Sequence, residues 1–293
     1  MGYMHISNLY KSNEILLFKQ CYAMEKIHGT SAHVSYDPKT DTLTYFSGGA
    51  KHESFLGCFD HEALLEAFRK NAQEFSNTAK VTIYGEAYGG SMQGMGHTYG
   101  PNLKFIAFEV KIEDDWLDVP RAERFALKMG QEFVYYEIIN TTEDEINAAM
   151  MADSVQAVRN GMGPGHPREG VVLRPLIELQ HPNGGRIMCK HKRPEFAERE
   201  HTPKIVDPEK TKALEDAQAI ADEWVVPMRL QHVLDAFPEV SMADTNKVIA
   251  AMIEDVEREA EGEIVSSKEV RKAIGKKTVK LLKEFLEGSA FKV

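Results

Sequence analysis

The sequence is poor in cysteine and in basic residues, and it has no long apolar run. Its three cysteines, Cys21, Cys58 and Cys189, have spacings that match neither a disulfide framework nor a zinc site, which predicts a reducing compartment. No apolar stretch approaches the roughly 20 residues of a membrane-spanning helix, and the first residues lack a signal-peptide core, so we expect a cytoplasmic protein. Lysine and arginine total 35 against 45 acidic residues, and the net charge of −10 argues against indiscriminate binding of polyanions.

One stretch reverses this charge balance. Residues 266–293 contain eight lysines and arginines against three glutamates. Affinity for phosphate depends mainly on lysine and arginine. This stretch is therefore the part of the chain that we expect to face nucleic acid.

The 293 residues suffice for one large domain and a smaller appendage, and the sequence pattern changes once along the chain. Strand patterns and helices are mixed up to about Pro203, which predicts an α+β domain. Only helical periods follow. We therefore predict two domains, 1–203 and 204–293, with the boundary between residues 200 and 207 and a small all-α domain at the C-terminus.

Alternating patterns rich in β-branched and aromatic residues predict the strands of the first domain. They indicate a hairpin at 33–36 and 42–46, then strands at 81–88, 103–112, 132–139, 170–174 and 186–190. Capping residues and prolines predict where helices begin. These starts are Asp60, Pro120, the capping box of Thr142 and Glu145, Asp207 with Pro208, Pro227, and the capping box of Ser266 and Glu269.

The segment MEKIHGTSAHV, residues 24–34, places Lys26 three residues before Gly29 and just ahead of the predicted hairpin. One K-x-x-G match is a weak signal, because a surface lysine beside a turn gives the same pattern. Further charged motifs follow where predicted strands meet loops: YGE at 84–86, FIAFEV at 105–110, REGVVLRP at 168–175 and MCKHK at 188–192. Residues two apart in a strand point to one face, so Lys190 and Lys192 put two positive charges side by side and indicate an anion site.

In this order KIHG, YGE, FIAFEV, EGVVLRP and CKHK resemble motifs I, III, IIIa, IV and V of the covalent nucleotidyl transferases. The set is most similar to the RNA ligase 2 family, whose members seal nicks in duplex RNA, and the resemblance covers essentially all of the first domain. It implies an α+β, ATP-grasp-like nucleotidyltransferase domain of antiparallel sheets with flanking helices. DNA ligases and capping enzymes usually carry an aspartate where this chain has His28, and they usually append a β-barrel where this chain predicts helices.

The resemblance also implies a three-step reaction with ATP and Mg²⁺ or Mn²⁺. A lysine attacks the α-phosphate of ATP, AMP passes to an RNA 5′-phosphate, and a 3′-hydroxyl displaces AMP. Lys26 would be the nucleophile, and because free lysine has a pKa of about 10.4, nearby positive charge is needed to favour its neutral form. Lys190 and Lys192 would supply that charge and bind the α-phosphate. Glu169 would hold the metal or orient Lys26, while His28 would assist the first step.

Two further contacts to the nucleotide are implied. Glu86 would accept a hydrogen bond from the ribose, and Phe108 would stack on adenine. Strand alternation, however, places Phe108 on one face with Ile106 and Val110, so a core phenylalanine is the competing interpretation.

Three residues complete the implied nucleotide site. Glu25 and Gly29 of motif I would help to frame the adenine pocket. After the hairpin the family normally supplies an arginine, whereas the nearby cation here is Lys51, which offers a point charge instead of a planar fork. A solvated lysine in an ordinary loop is the alternative at that position.

Two other functions stay open for the whole set of motifs. One is another covalent nucleotidyl transferase, such as a DNA ligase or a capping enzyme. The other is an RNA-binding module that keeps the fold without the chemistry. The expected partner is RNA with 3′-hydroxyl and 5′-phosphate ends, as at a nick in duplex RNA, and we expect a monomer that does not engage membranes.

Overall fold

A computed structural model of the chain describes residues 2–71, 78–181, 184–196, 217–237 and 239–288. The chain divides into two units, Met1–Arg193 and Pro194–Val293. The domain boundary predicted between residues 200 and 207 and the helix start predicted at Asp207 and Pro208 lie outside the described residues. That boundary stays a prediction.

The first unit contains two antiparallel sheets. The strands of the five-stranded sheet are β2 Thr30–Asp37, β3 Thr42–Ser47, β4 Val81–Tyr88, β5 Lys104–Ile112 and β6 Asp115–Trp116. Those of the four-stranded sheet are β1 Gln20–Lys26, β7 Tyr136–Asn140, β8 Gly170–Pro175 and β9 Cys189–Lys192. The order is β3-β2-β4-β5-β6 in the first sheet and β7-β1-β8-β9 in the second. The predicted α+β class with antiparallel sheets is confirmed.

Most of the predicted strands lie within two residues of the observed ones, and two are displaced. The strand predicted at 132–139 begins only at Tyr136, because Phe133 makes an isolated bridge to Ala107 of the other sheet. The strand predicted at 186–190 is shifted to β9, since Arg186 is instead drawn into ion pairs with Glu109 and Glu178. Strand β1, which carries Lys26, was not predicted.

The described part of the first unit also contains six α-helices. They are α1 His52–Leu56, α2 His61–Asn71, α3 Gly96–Tyr99, α4 Val119–Lys128, α5 Glu143–Met151 and α6 Val155–Arg159. The helix predicted from Thr142 to near residue 160 is two helices, because Ser154 is extended and caps α6 through the backbone N–H of Ala157.

The described part of the second unit after Phe196 is helical. Its helices are α7 Ala217–Trp224, α8 Pro227–Leu234, α9 Thr245–Glu259 and α10 Lys268–Leu286. They enclose their own apolar core around Trp224, Leu230, Met252 and Ile274. The cap of α10 is Ser267, not the predicted Ser266, since the Ser267 hydroxyl accepts the backbone N–H of Val270. No helix in the described ranges is long and apolar enough to cross a membrane.

Candidate active site

Neighbouring strands of the four-stranded sheet bring the predicted lysines to one face. Lys26 on β1 pairs with Gly170 on β8, which pairs with Lys192 on β9. Lys190 lies in the next row, opposite Val172. Cross-strand partners point to the same face, so the three lysines share it.

A glycine is required between the two lysines of the first row. A Cβ added at Gly170 would lie 2.7 Å from Cα of Lys192 and would collide with the backbone carbonyl of His191. Any side chain there would push β8 away from β9. The glycine that follows Glu169 therefore allows Lys26 and Lys192 to approach the same carboxylate.

Glu169 is the centre of the cluster. Its Oε2 accepts Nζ of Lys26 at 2.9 Å and its Oε1 contacts Nζ of Lys192 at 2.9 Å, while Nδ1 of His28 lies 3.3 Å from Oε2. The Glu169 side chain is only 2% exposed, against 22% for Lys26 and 11% for Lys192. Burial opposes ionisation of Glu169, but the charges of Lys192, Lys26 and His28 outweigh it and hold the pKa of the carboxyl well below its usual value.

Motif I also packs tightly against the five-stranded sheet. A Cβ at Gly29 would lie 2.9 Å from Cγ of Glu86 and 3.0 Å from Cβ of Tyr88 on β4. The backbone N–H of His28 donates to the Tyr99 hydroxyl at 3.3 Å. Glycine at position 29 thus lets β4, with Glu86, come close to the chain that follows Lys26.

A β-bulge sets the position of Phe108. Tyr84 pairs with Glu109 and Gly85 pairs with Ala107, so Phe108 is an extra residue on β5. The bulge interrupts the alternation and places Val110 opposite buried Ile83. The predicted common face of Phe108, Ile106 and Val110 is therefore wrong. Phe108 is partly exposed, and its ring meets the Tyr3 ring edge-on at 5.0 Å.

Glu25 is not brought to the Glu169 cluster. Glu25 points to the opposite face of β1 from Lys26, where its carboxylate accepts the Ser154 hydroxyl at 2.5 Å and the backbone N–H of Val155 at 3.0 Å. It thus anchors the start of α6. Lys51 is the exposed residue that precedes α1.

The comparison with known families agrees with this arrangement. The family model described as RNA ligase matches residues 19–192, which is more than half of the chain and spans every motif from Lys26 to Lys192.

The chain belongs to the RNA ligase family.

One solved RNA ligase structure shares the fold. A single-residue variant of the Naegleria gruberi RNA ligase with ATP and Mn matches with a TM-score of 0.51 and 13% identity, over 67% of this chain and 57% of that chain. The same ligase with PPi matches with a TM-score of 0.46 and 16% identity, over 67% and 57%. The first match indicates a common fold only, and the second is too weak to add to it. The chain spans less than two thirds of the length of the Naegleria protein.

This RNA ligase family member also has a buried ionic network that the sequence analysis missed. Arg174 on β8 contacts Oε1 of Glu109 at 2.8 Å and Oε2 of Glu178 at 2.6 Å. Arg186 donates to Oε2 of Glu109 at 2.9 Å and pairs with Glu178 at 2.6 Å. The network joins β5 of one sheet to β8 of the other. Its signal in the sequence was a charged residue inside each of two apolar motifs, FIAFEV and EGVVLRP.

The residues present fit a divalent cation that takes most of its ligands from substrate. Within the described residues no group of three or more His, Cys, Asp and Glu side chains is arranged to hold a metal. Mg²⁺ commonly binds through one or two carboxylates together with substrate phosphates and water. Glu169, an ionised carboxylate on the face shared by the lysines, is suited to that arrangement.

Proposed function

We propose that the protein is an ATP-dependent RNA ligase that joins 3′-hydroxyl and 5′-phosphate ends, with nicks in duplex RNA as its substrate and Lys26 as the residue that carries AMP. The observation that carries the proposal is the pairing of Lys26 and Lys192 with one buried carboxylate, Glu169. When a substrate phosphate competes with the Glu169 carboxylate for the two lysine amines, the amines form a binding site for that phosphate. This is what transfer of AMP to a lysine requires.

The first step forms a bond between Nζ of Lys26 and the α-phosphorus of ATP and breaks the bond from that phosphorus to pyrophosphate. Lys26, whose side chain is 22% exposed, first gives up a proton to solvent water. Its Nζ now donates to Glu169, so this contact must loosen before the lone pair can reach phosphorus. Glu169 would hold a divalent cation, which would supply neutralisation of the negative charge on the phosphates. Lys190 and Lys192 would hold the α-phosphate, and His28 would lie near the departing pyrophosphate.

The nucleoside would lie between the two sheets. Glu86 would accept from the ribose and Phe108 would stack on adenine, with Gly29 leaving room at motif I. Lys51 would reach a phosphate as an exposed cation. In the second step an RNA 5′-phosphate oxygen attacks the α-phosphorus and breaks its bond to Nζ of Lys26, which leaves as the amine. In the third step the 3′-hydroxyl loses its proton to solvent and bonds to that 5′-phosphorus, and the bond to AMP breaks.

Label transfer tests the chemistry directly. The protein is incubated with α-labelled ATP and Mg²⁺, denatured, and examined for label that stays bound. Wild type and the exposed control Lys39→Ala are expected to take up label, whereas Lys26→Ala takes up none. Absence of label on wild type, or equal labelling of Lys26→Ala, refutes the proposal, and retained RNA binding in the first case favours the inactive binding module.

Defined substrates separate the ligase from its relatives. We expect sealing of nicked duplex RNA and dependence on both the 3′-hydroxyl and the 5′-phosphate. Sealing confined to DNA nicks indicates a DNA ligase instead. Labelling by GTP with transfer to a 5′-diphosphate end indicates a capping enzyme.

The surface of α10 supports RNA as the partner. Its solvent-facing side is opposite buried Val270, Ile274 and Leu281 and carries a stripe of exposed lysines, Lys268, Lys272, Lys276, Lys280 and Lys283. Such a stripe suits a phosphate backbone, where each neutralised phosphate releases counterions.

The double variant Lys272→Glu with Lys276→Glu tests that surface. It should keep label uptake but weaken binding of duplex RNA, and the slope of log K against log salt should fall by about 2, since each lost phosphate contact removes about 0.9. Lys39→Glu is the matched control. An unchanged slope would show that α10 does not bind the substrate.

A further inference from the structure

Residues 2–9 precede the region that the family model matches. They nevertheless contact both sheets, which form the two walls of the proposed nucleotide site. At one end the Tyr3 ring packs edge-on against three rings of the five-stranded sheet, those of Phe108 at 5.0 Å, Tyr84 at 5.2 Å and Trp116 at 5.9 Å. The Tyr3 backbone N–H donates to Oγ of Ser31 at 3.3 Å. Tyr3 is thereby fixed against the strand that bears Phe108.

The Tyr3 hydroxyl joins the ionic network between the sheets. It donates to Glu109, the neighbour of Phe108 at the bulge, and accepts Nη1 of Arg186 at 3.3 Å. Glu109 in turn pairs with Arg174 of the four-stranded sheet. Burial, reinforced by the charge of Glu109, raises the pKa of the Tyr3 hydroxyl well above its usual value, so it stays a donor.

At the other end the same segment pairs with Lys190. The Lys190 backbone N–H donates to the carbonyl of Ser7 at 2.9 Å, and its carbonyl accepts the N–H of Leu9 at 2.9 Å. Lys190 lies on β9, an edge strand of its sheet. The segment therefore covers that edge at the position of one proposed phosphate-binding lysine.

We propose that residues 2–9 form a clasp that sets the distance between Phe108 and Lys190, and that Tyr3 is a positioning residue for nucleotide binding. The inference rests on the proposed function, in which Phe108 stacks on the base and Lys190 holds the α-phosphate. From Tyr3 to Ser7 the chain has four residue steps, which can span at most about 13 to 14 Å. So short a connection, bonded at both ends, limits how far the two walls can separate.

The rate of label uptake at increasing ATP concentration tests the clasp. Tyr3→Ala removes three ring contacts and is expected to raise the KM for ATP by about tenfold, with the rate at saturating ATP changed by less than about threefold. Tyr3→Phe keeps the ring and should restore most of the affinity. Leu17→Ala, at a position that is 85% exposed and lies beyond the segment, is the control and should resemble wild type.

A merely structural role gives a different result. It would lower the fraction of protein that can be labelled and leave KM unchanged, and that outcome overturns the proposal. Inserting two glycines between Met4 and His5 lengthens the clasp without removing either set of contacts. If spacing matters, this variant also raises KM; if KM is unchanged, the clasp does not set the distance.

Binding of a fluorescent ATP analogue in the Lys26→Ala background separates this inference from the proposed function, because no covalent step occurs there. If adding Tyr3→Ala weakens binding of the analogue, the clasp is supported, even if wild type takes up no label. Absence of label on wild type would refute only the ligase chemistry. Equal binding with and without Tyr3→Ala refutes the clasp even if wild type is labelled. Absence of any nucleotide binding refutes both.

Discussion

Replacing Glu169 by glutamine removes the charge that holds the proposed active site together. The amide has the size of the carboxylate but offers one acceptor oxygen and an NH₂ group with two donors, so one of the two lysine amines now meets N–H groups. Each ion pair at 2.9 Å corresponds to about 6 kcal/mol at an effective dielectric constant of 20, most of it offset by desolvation. Removing one partner of a buried pair typically costs about 3 to 5 kcal/mol.

We expect the lower end of that range for Glu169→Gln. The Lys26 side chain is 22% exposed and can turn partly towards water. The free energy of unfolding of the first unit should fall by about 3 kcal/mol, roughly a hundredfold in the folding equilibrium. Label uptake from ATP should also be lost, since the variant lacks the carboxylate that would bind the metal.

The effect should depend on pH in one direction. The pKa of Glu169 is lowered on folding, so its contribution is fully present above the pKa of an unfolded glutamate, about 4.3, and is lost as the pH falls through the lower folded value. The difference between wild type and variant should therefore shrink as the pH falls below about 5.

Denaturant unfolding followed by peptide-resolved hydrogen exchange measures this change where it occurs. Tryptophan fluorescence alone is ambiguous, because Trp116 and Trp224 lie one in each unit. Protection should fall in peptides from β1, β8 and β9 and be unchanged in α7–α10. Glu66→Gln, at an exposed position on α2, is the control. Loss of stability no larger than in that control would refute the charge arrangement described for the site.

Three other outcomes are expected. Gly170→Ala should abolish label uptake and strongly lower the Tm of the first unit, because the added Cβ collides with the β9 backbone. The control Gly57→Ala should leave the Tm unchanged in the same thermal unfolding experiment, because Gly57 has helical backbone and its added Cβ meets no atom closer than 3.4 Å. Burial raises the pKa of Asp235 to about 7. In the folded protein Asp235 keeps a proton that it releases near pH 4 in the unfolded chain, so the free energy of unfolding falls as the pH rises from about 4 to 7. Asp235→Asn should therefore raise the Tm of the second unit at pH 8 but not at pH 4. Cys21 and Cys189 are fully buried, and burial raises the pKa of the Cys21 thiol to about 12. Mass spectrometry should therefore find both cysteines unmodified after native protein is treated with iodoacetamide, and alkylated after the protein is unfolded.

Local patterns in the sequence were sufficient for the elements and for the order of the motifs. Strand β4 is predicted to the residue, and the helix cap at Asp60 is confirmed by the Ala63 N–H that it accepts at 3.1 Å. These features depend on residues close together in the chain, so alternation and capping signals reveal them. Strand β1 was missed because it is buried almost throughout and has no alternation.

The bulge at Phe108 shows where such reasoning fails. Alternation assigned the ring to the face of Val110, but the extra residue on β5 reverses the faces from there on. A bulge depends on what the partner strand and the opposite sheet require, here the ion pairs of Glu109 with Arg174 and Arg186. A one-strand pattern does not contain that information.

The sequence by itself determined the two-part organisation into an α+β region and helices, and it supplied Lys26, His28, Glu169 and Lys192 as candidates. Only the tertiary structure decided that they meet. Lys26 and Glu169 are 143 residues apart in the chain, and Tyr3 is 106 residues from Glu109. Contacts at such separations depend on strand pairing and on the packing of one sheet against the other, which short-range periodicity does not encode.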